Sequence, residues 1–169
     1  KYSPVPCRPH FGAARGALCC WSADLTAQVG QDGVNLHASC IAVEGRGLLI
    51  LGPSGSGKSA LALQLMAFGA DLVADDRTQI TLQDGQLLAS CPVPIHGLIE
   101  ARGMGLVRAP TVTLVPLVLA VDLSHSSSER LPPRQKMVVL GQELDLVYAI
   151  QGNHFPAAIL CYLKGSRQD

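Results

Sequence analysis

The sequence carries no surplus of charge of either sign: 13 Lys and Arg stand against 13 Asp and Glu. That balance argues against the broad basic surface on which nucleic-acid binding rests. Long apolar runs are missing as well. The most apolar stretch, Val112 to Leu123, falls short of the ~20 residues that cross a bilayer and is interrupted by Pro116, so no membrane span is expected. Lys1 is followed by no sustained apolar segment, so no secretory signal is expected. The chain also lacks an initial Met, the mark of a trimmed or incomplete sequence. Cysteine is present at positions 7, 19, 20, 40, 91 and 161, but no C-x-x-C and no repeated Cys/His spacing occurs. Cys7, His10, Cys19 and Cys20 make the one conceivable metal cluster, and their spacing is irregular. Free thiols in a reducing compartment, the cytoplasm, are the better reading. No internal repeat is found. What remains is 169 residues, 48% hydrophobic and 15% charged, the size and texture of one α/β domain.

Against these absences stands one complete motif. Gly52-Pro53-Ser54-Gly55-Ser56-Gly57-Lys58-Ser59 fits G-x-x-x-x-G-K-[ST], with the apolar run Leu48–Leu51 before it and a helix-like run after it. Glycines keep side chains away where backbone N–H groups must approach phosphate, and a helix N-terminus adds partial positive charge. Lys58 is expected to reach the β- and γ-phosphates of a nucleoside triphosphate, and the Ser59 hydroxyl to bind Mg²⁺.

Residues 1–34 lack a clear period and read as an irregular leader, with the catalytic domain expected over 35–169. From His37 to Val43 the pattern is strand-like, Glu44–Gly47 is a turn, and Leu48–Leu51 is a buried strand. Ala60–Phe68 is apolar nearly all round, predicting a helix buried on every side, with Gly69 as its cap. Leu72–Ala74 is a short strand ending in Asp75-Asp76. In a β–α–β unit it returns parallel to the first strand, which brings both carboxylates to the edge that holds the loop. A second hairpin spans Thr78–Ser90. Val112–Val115 and Leu117–Val121 read as strands around a bulge or edge at Pro116, and 124–136 as a loop. Phe155–Leu163 is a terminal helix with Pro156 in its first turn. Interleaved hairpins predict a mixed sheet.

Three carboxylate sites compete for the metal and the proton chemistry. Asp75-Asp76 follows the loop's own helix; in an extended backbone the two side chains point to opposite faces. Asp122 ends an apolar run in the manner of a Walker B strand. Glu100 sits in Ile99-Glu-Ala-Arg-Gly103, a segment equally compatible with a ligand-facing strand end and with a surface salt bridge.

His37, Gly52–Ser59, Leu72-Val-Ala-Asp-Asp76 and Ile99–Gly103 together resemble, in that order, the catalytic domain of the HPr kinase/phosphorylases, over roughly residues 35–165. The resemblance, to the short form found in proteobacteria, implies an α/β fold: a P-loop, phosphoenolpyruvate carboxykinase-like mixed β-sheet with flanking helices. It implies ATP-dependent phosphorylation of a serine on an HPr-type phosphocarrier of a phosphotransferase system, in a hexamer. By the same resemblance Asp76 is the general base, and Lys58 stabilises the transferred phosphoryl. Ser59 and Glu100 hold Mg²⁺, with Asp75 as a further metal candidate. His37 is an active-site histidine, and Arg130 matches the family's catalytic arginine. The family's basic stretch near the C-terminus is replaced here by Ile150-Gln-Gly-Asn-His154, which implies a kinase with a weakened reverse, phosphorylase activity. Two readings outside the family stay open: a small-molecule kinase or ATPase using Asp122, and a nucleotide-binding regulator without turnover.

Overall fold

The computed structural model describes the backbone of residues 28–30 and residues 33–165 in full. The Cys7–Cys20 grouping and most of the expected leader lie outside the described residues. Ten of the twelve described strands form one sheet, and two form a separate hairpin. The strands are β1 (Gln28–Gly30), β2 (Gly33–Leu36), β3 (Ser39–Val43), β4 (Arg46–Leu51), β5 (Asp71–Ala74), β6 (Thr78–Gln83) and β7 (Gln86–Ser90). They are followed by β8 (Leu98–Ala101), β9 (Gly105–Arg108), β10 (Leu114–Ser127), β11 (Gln135–Val139) and β12 (Gln142–Ile150). The helices are α1 (Lys58–Ala67) and α2 (Phe155–Gly165).

The sheet is mixed, as the hairpins predict. β10 joins its two wings: residues 114–116 pair antiparallel with β7, and the strand then runs parallel between β4 and β12. On the far side of β4 come β3 and then β5, each antiparallel to its neighbour. β4 and β5 therefore run in the same direction, as a β–α–β unit requires, but β3 lies between them. Their carboxyl ends share one edge of the sheet.

Burial follows the two-residue period of a strand. In β4, Leu48 and Ile50 face the helices while Leu49 and Leu51 face the opposite core, and all four are essentially inaccessible. A strand covered on both faces reads as an unbroken apolar run rather than an alternation. The helix-side core takes Leu61 and Leu65 of α1 and Ile159 and Leu163 of α2; the other core takes no residue from either helix. Both helices thus pack on a single face.

Several expectations change. α1 is not buried all round: Lys58, Leu61, Ala62 and Leu65 form one buried stripe, while Ala60, Gln64 and Ala67 are exposed. One-sided helix packing leaves the other side of α1 uncovered. The helix ends as its glycine predicts, with Gly69 N–H bonding Met66 and Ala70 N–H bonding Leu65, and Gly69 at φ 96°. The stretch 37–43 is not one strand. It bends at His37-Ala38, where Thr78 Oγ1 donates to the Ala38 carbonyl at 2.8 Å, and β2 and β3 then pair with different partners. The expected boundary before residue 35 falls inside β2, whose Gly33 lies so close to β6 that a Cβ would sit 2.7 Å from the Ile80 carbonyl oxygen. There glycine serves close strand approach rather than irregularity. Residues 124–127, expected in a loop, continue β10: after an irregularity between Asp122 and Ser126, Ser126 and Ser127 pair with Ala149 and Ile150 of β12, so the connection shrinks to 128–134. Pro116 falls where β10 passes from β7 to β4, and the β4 register shifts between Leu117 and Leu119. Among the described residues no helix is long and apolar enough to cross a membrane.

Candidate active site

The Gly52–Ser59 loop leaves the carboxyl end of β4 and turns directly into α1. Gly52 has φ 146°, and a Cβ on it would sit 2.5 Å from Ser56 Oγ. Gly57 caps α1 at φ 97° with no side-chain cap, so the first-turn N–H groups carry no side-chain acceptor. This edge borders a cleft of about 450 Å³ whose lining includes Ser54, Lys58, Ser59, Asp76, Glu100 and Arg102.

Lys58 is buried, and its Nζ donates to the carbonyls of Gly52 at 3.0 Å and Pro53 at 3.1 Å. Burial lowers the pKa of this ammonium, although the Asp76 and Asp75 carboxylates pull the other way. The lysine folds the loop around itself and presents positive charge at its mouth.

The two aspartates after β5 part company because Asp76 adopts a left-handed backbone, φ 64°. Asp75 turns inward and is 6% exposed. Its Oδ1 accepts the Ser39 hydroxyl at 2.6 Å, and Ser59 Oγ lies 2.9 and 3.1 Å from its two oxygens. Oδ2 also accepts the Glu100 backbone N–H at 3.1 Å. Asp76 turns outward into the cleft, its side chain 69% exposed and its Oδ1 2.9 Å from His37 Nε2. The bend that splits β2 from β3 delivers His37 to this position.

Glu100 is the exposed third residue of β8, on a two-stranded hairpin anchored to the rest of the site by its own N–H on Asp75. The fold therefore gathers His37, Lys58, Ser59, Asp75, Asp76 and Glu100. It does not bring in Arg130, which is exposed on the 128–134 connection and outside the cleft lining, although that connection leaves the same sheet edge.

Asp122, the other carboxylate candidate, pairs in register with Leu51 and Tyr148. It is 1% exposed. Its Oδ1 accepts from the Ser124 hydroxyl and, at 2.8 Å, the Ser124 N–H, and its Oδ2 lies 2.8 Å from His125 Nδ1. Burial alone raises its pKa, but the hydrogen bonds from Ser124 and His125 outweigh that and hold it below the ordinary carboxylate value. Sequence reasoning missed Ser39. Its only signal is one hydroxyl in an otherwise apolar strand, Ser39-Cys-Ile-Ala-Val43.

Residues 31–113 match the family model described as the HPr serine kinase C-terminal domain. Over that segment, just under half of its length, this chain matches the HPr kinase/phosphorylase family. The matched segment contains every residue gathered at the cleft and ends before Asp122 and Arg130. The HPr kinase/phosphorylase of Clostridium tetani is 41% identical over 86 residues, 51% of this chain and 28% of that protein. The same-named protein of Listeria monocytogenes is 40% identical over 80 residues, 47% of this chain and 26% of its own. The aligned segment thus spans under a third of these curated relatives. In three dimensions the chain is similar to the HPr(Ser) kinase/phosphatase from Coxiella burnetii, with TM-score 0.66 and 24% identity. That match covers 77% of this chain and 88% of the other, a likeness of fold.

Proposed function

We propose that this protein is an ATP-dependent serine kinase acting on an HPr-type phosphocarrier. The observation that carries the reading is the convergence of the Gly52–Ser59 loop, the exposed Asp76–His37 pair and Glu100 on one open cleft. The loop and the first turn of α1 would hold the triphosphate, and Lys58 the β- and γ-phosphates. The substrate serine would lie against Asp76. As its oxygen bonds to the γ-phosphorus, the serine proton passes to Asp76, and the bond from phosphorus to the β-phosphate oxygen breaks to release ADP. His37 Nε2–H, donated to Asp76, keeps that carboxylate turned to the cleft.

The donor set suits magnesium. The Ser59 hydroxyl and Glu100 carboxylate are hard oxygens, and Mg²⁺ keeps water and phosphate oxygens as its remaining ligands. When bound it would neutralise charge building on the phosphates. Asp75 is already engaged by Ser39, Ser59 and the Glu100 N–H, so its role in this reading is to orient Ser59 rather than to ligate. Arg130 lies outside the cleft on the connection at the same edge, and would add positive charge to the transferring group only after that connection moves toward the loop.

Transfer is expected to run mainly forward, since Ile150–His154 supplies no guanidinium for a second anion. The working compartment is the cytoplasm and the assembly a hexamer. The test is incubation with Mg-ATP and a folded HPr-type carrier, followed by mapping of phosphoserine. A carrier that stays unmodified while the protein binds nucleotide overturns the proposal.

A further inference from the structure

Ser39 stands outside the cleft lining, is completely buried and has no chemistry of its own to perform. Its hydroxyl nevertheless bonds the carboxylate that also accepts from the Ser59 hydroxyl and from the backbone N–H of Glu100, the two residues suggested to hold the metal. A hydroxyl has a single proton and two lone pairs. Ser59 gives its proton to Asp75, so its lone pairs are left to face the cleft, the orientation a cation requires. Asp75 fixes the β8 strand at Glu100 through the opposite oxygen. Its carboxylate is thus held from three sides, by β3, α1 and β8.

We propose that Ser39 is a positioning residue for divalent-cation binding. It locks the Asp75 carboxylate in the rotation that points the Ser59 lone pairs at the metal and sets Glu100 opposite. Without Ser39 the carboxylate loses its shortest hydrogen bond and its lock against rotation. Ser59 can then turn its proton into the cleft, where it donates to phosphate instead of accepting a cation. Nucleotide contacts made by the loop backbone and Lys58 do not pass through Ser39. The inference rests on the reading that Ser59 and Glu100 hold the metal.

Isothermal titration of ADP, once in Mg²⁺ and once in chelator, tests it on the whole chain. Ser39→Ala is expected to weaken Mg-ADP binding ~10-fold, as loss of an outer-sphere partner does, while metal-free ADP binds within about twofold of wild type. Ser39→Thr keeps the hydroxyl and is expected to recover Mg-ADP affinity. Should Ser39→Ala fail to fold, Ser39→Cys keeps the volume with a poorer donor and is expected to shift Mg-ADP affinity in the same direction. Unchanged Mg-ADP binding in the folded variant overturns the proposal. So does an equal loss with and without metal, which marks a purely structural role. No carrier enters this titration. A wild-type protein that leaves the carrier unmodified but shows the Ser39 effect rejects the serine-kinase reading and upholds this one.

Discussion

Asp75 and Asp122 are two buried aspartates at the carboxyl edge of one sheet, flanking the same glycine-rich loop, and they are satisfied in opposite ways. Asp122 finds its partners within three residues, in Ser124 and His125. Asp75 draws donors from β3, α1 and β8, up to 36 residues away in sequence. Both solve the same desolvation problem. The first solution is closed: it orders its own strand end and leaves the neighbours free. The second ties together elements that are otherwise independent, so disturbing it moves whatever those elements carry. Burial and strand position alone do not tell the two apart; the origin of the donors does.

The harshest test of this contrast lies one residue from Asp75. Asp76→Asn is expected to slow phosphotransfer ~10²–10⁴-fold, with nucleotide affinity within about threefold, as measured by carrier phosphorylation and titration. Asp75→Asn comes next. It places an amide N–H₂ among groups that donate, and is expected to weaken Mg-nucleotide binding ~10–100-fold and cost about 1–3 kcal/mol in urea unfolding. Asp122→Asn is expected to leave phosphotransfer within about twofold and cost roughly 1–2 kcal/mol of stability. If it instead proves the more damaging of the two to turnover, Asp122 is the Walker B aspartate and the comparison inverts.

The smallest effect is in the pH profile. The folded pKa of Asp122 lies below its ordinary 3.8, so its contribution to stability is present above that pH and disappears as pH falls through the folded value. Wild type should therefore lose stability on acidification below about pH 4 more steeply than Asp122→Asn, a difference that acid-titrated thermal melts will register.

Much of this site is written locally in the chain. The loop, the capped helix after it and the strand ending in Asp75-Asp76 all follow from glycine placement and apolar period, which act over a few residues. The Ser39–Asp75 bond has no such signature, because a serine in a strand reads the same whatever faces it across the fold. The serine-rich end of β10 misleads for a related reason. Ser124, His125 and Ser126 are exposed and look like loop, yet β10 runs on through them and resumes pairing with β12 at Ser126 and Ser127. The β11–β12 hairpin is hidden in the sequence as well. Its turn places Leu140 at φ 47° before Gly141, and leucine gives no turn signal. Arg130 is legible as a residue but not as a position, since nothing in the described structure brings it to the cleft.

The left-handed backbone at Asp76 has a consequence for evolution under selection for stability alone. A side chain at φ 64° carries strain that glycine would relieve by up to ~1 kcal/mol, and the exposed pairing with His37 that glycine would forgo is worth little. Asp76→Gly should therefore yield a chain that melts at least as high as the original and transfers nothing, so that heat tolerance and turnover are set against each other at one residue.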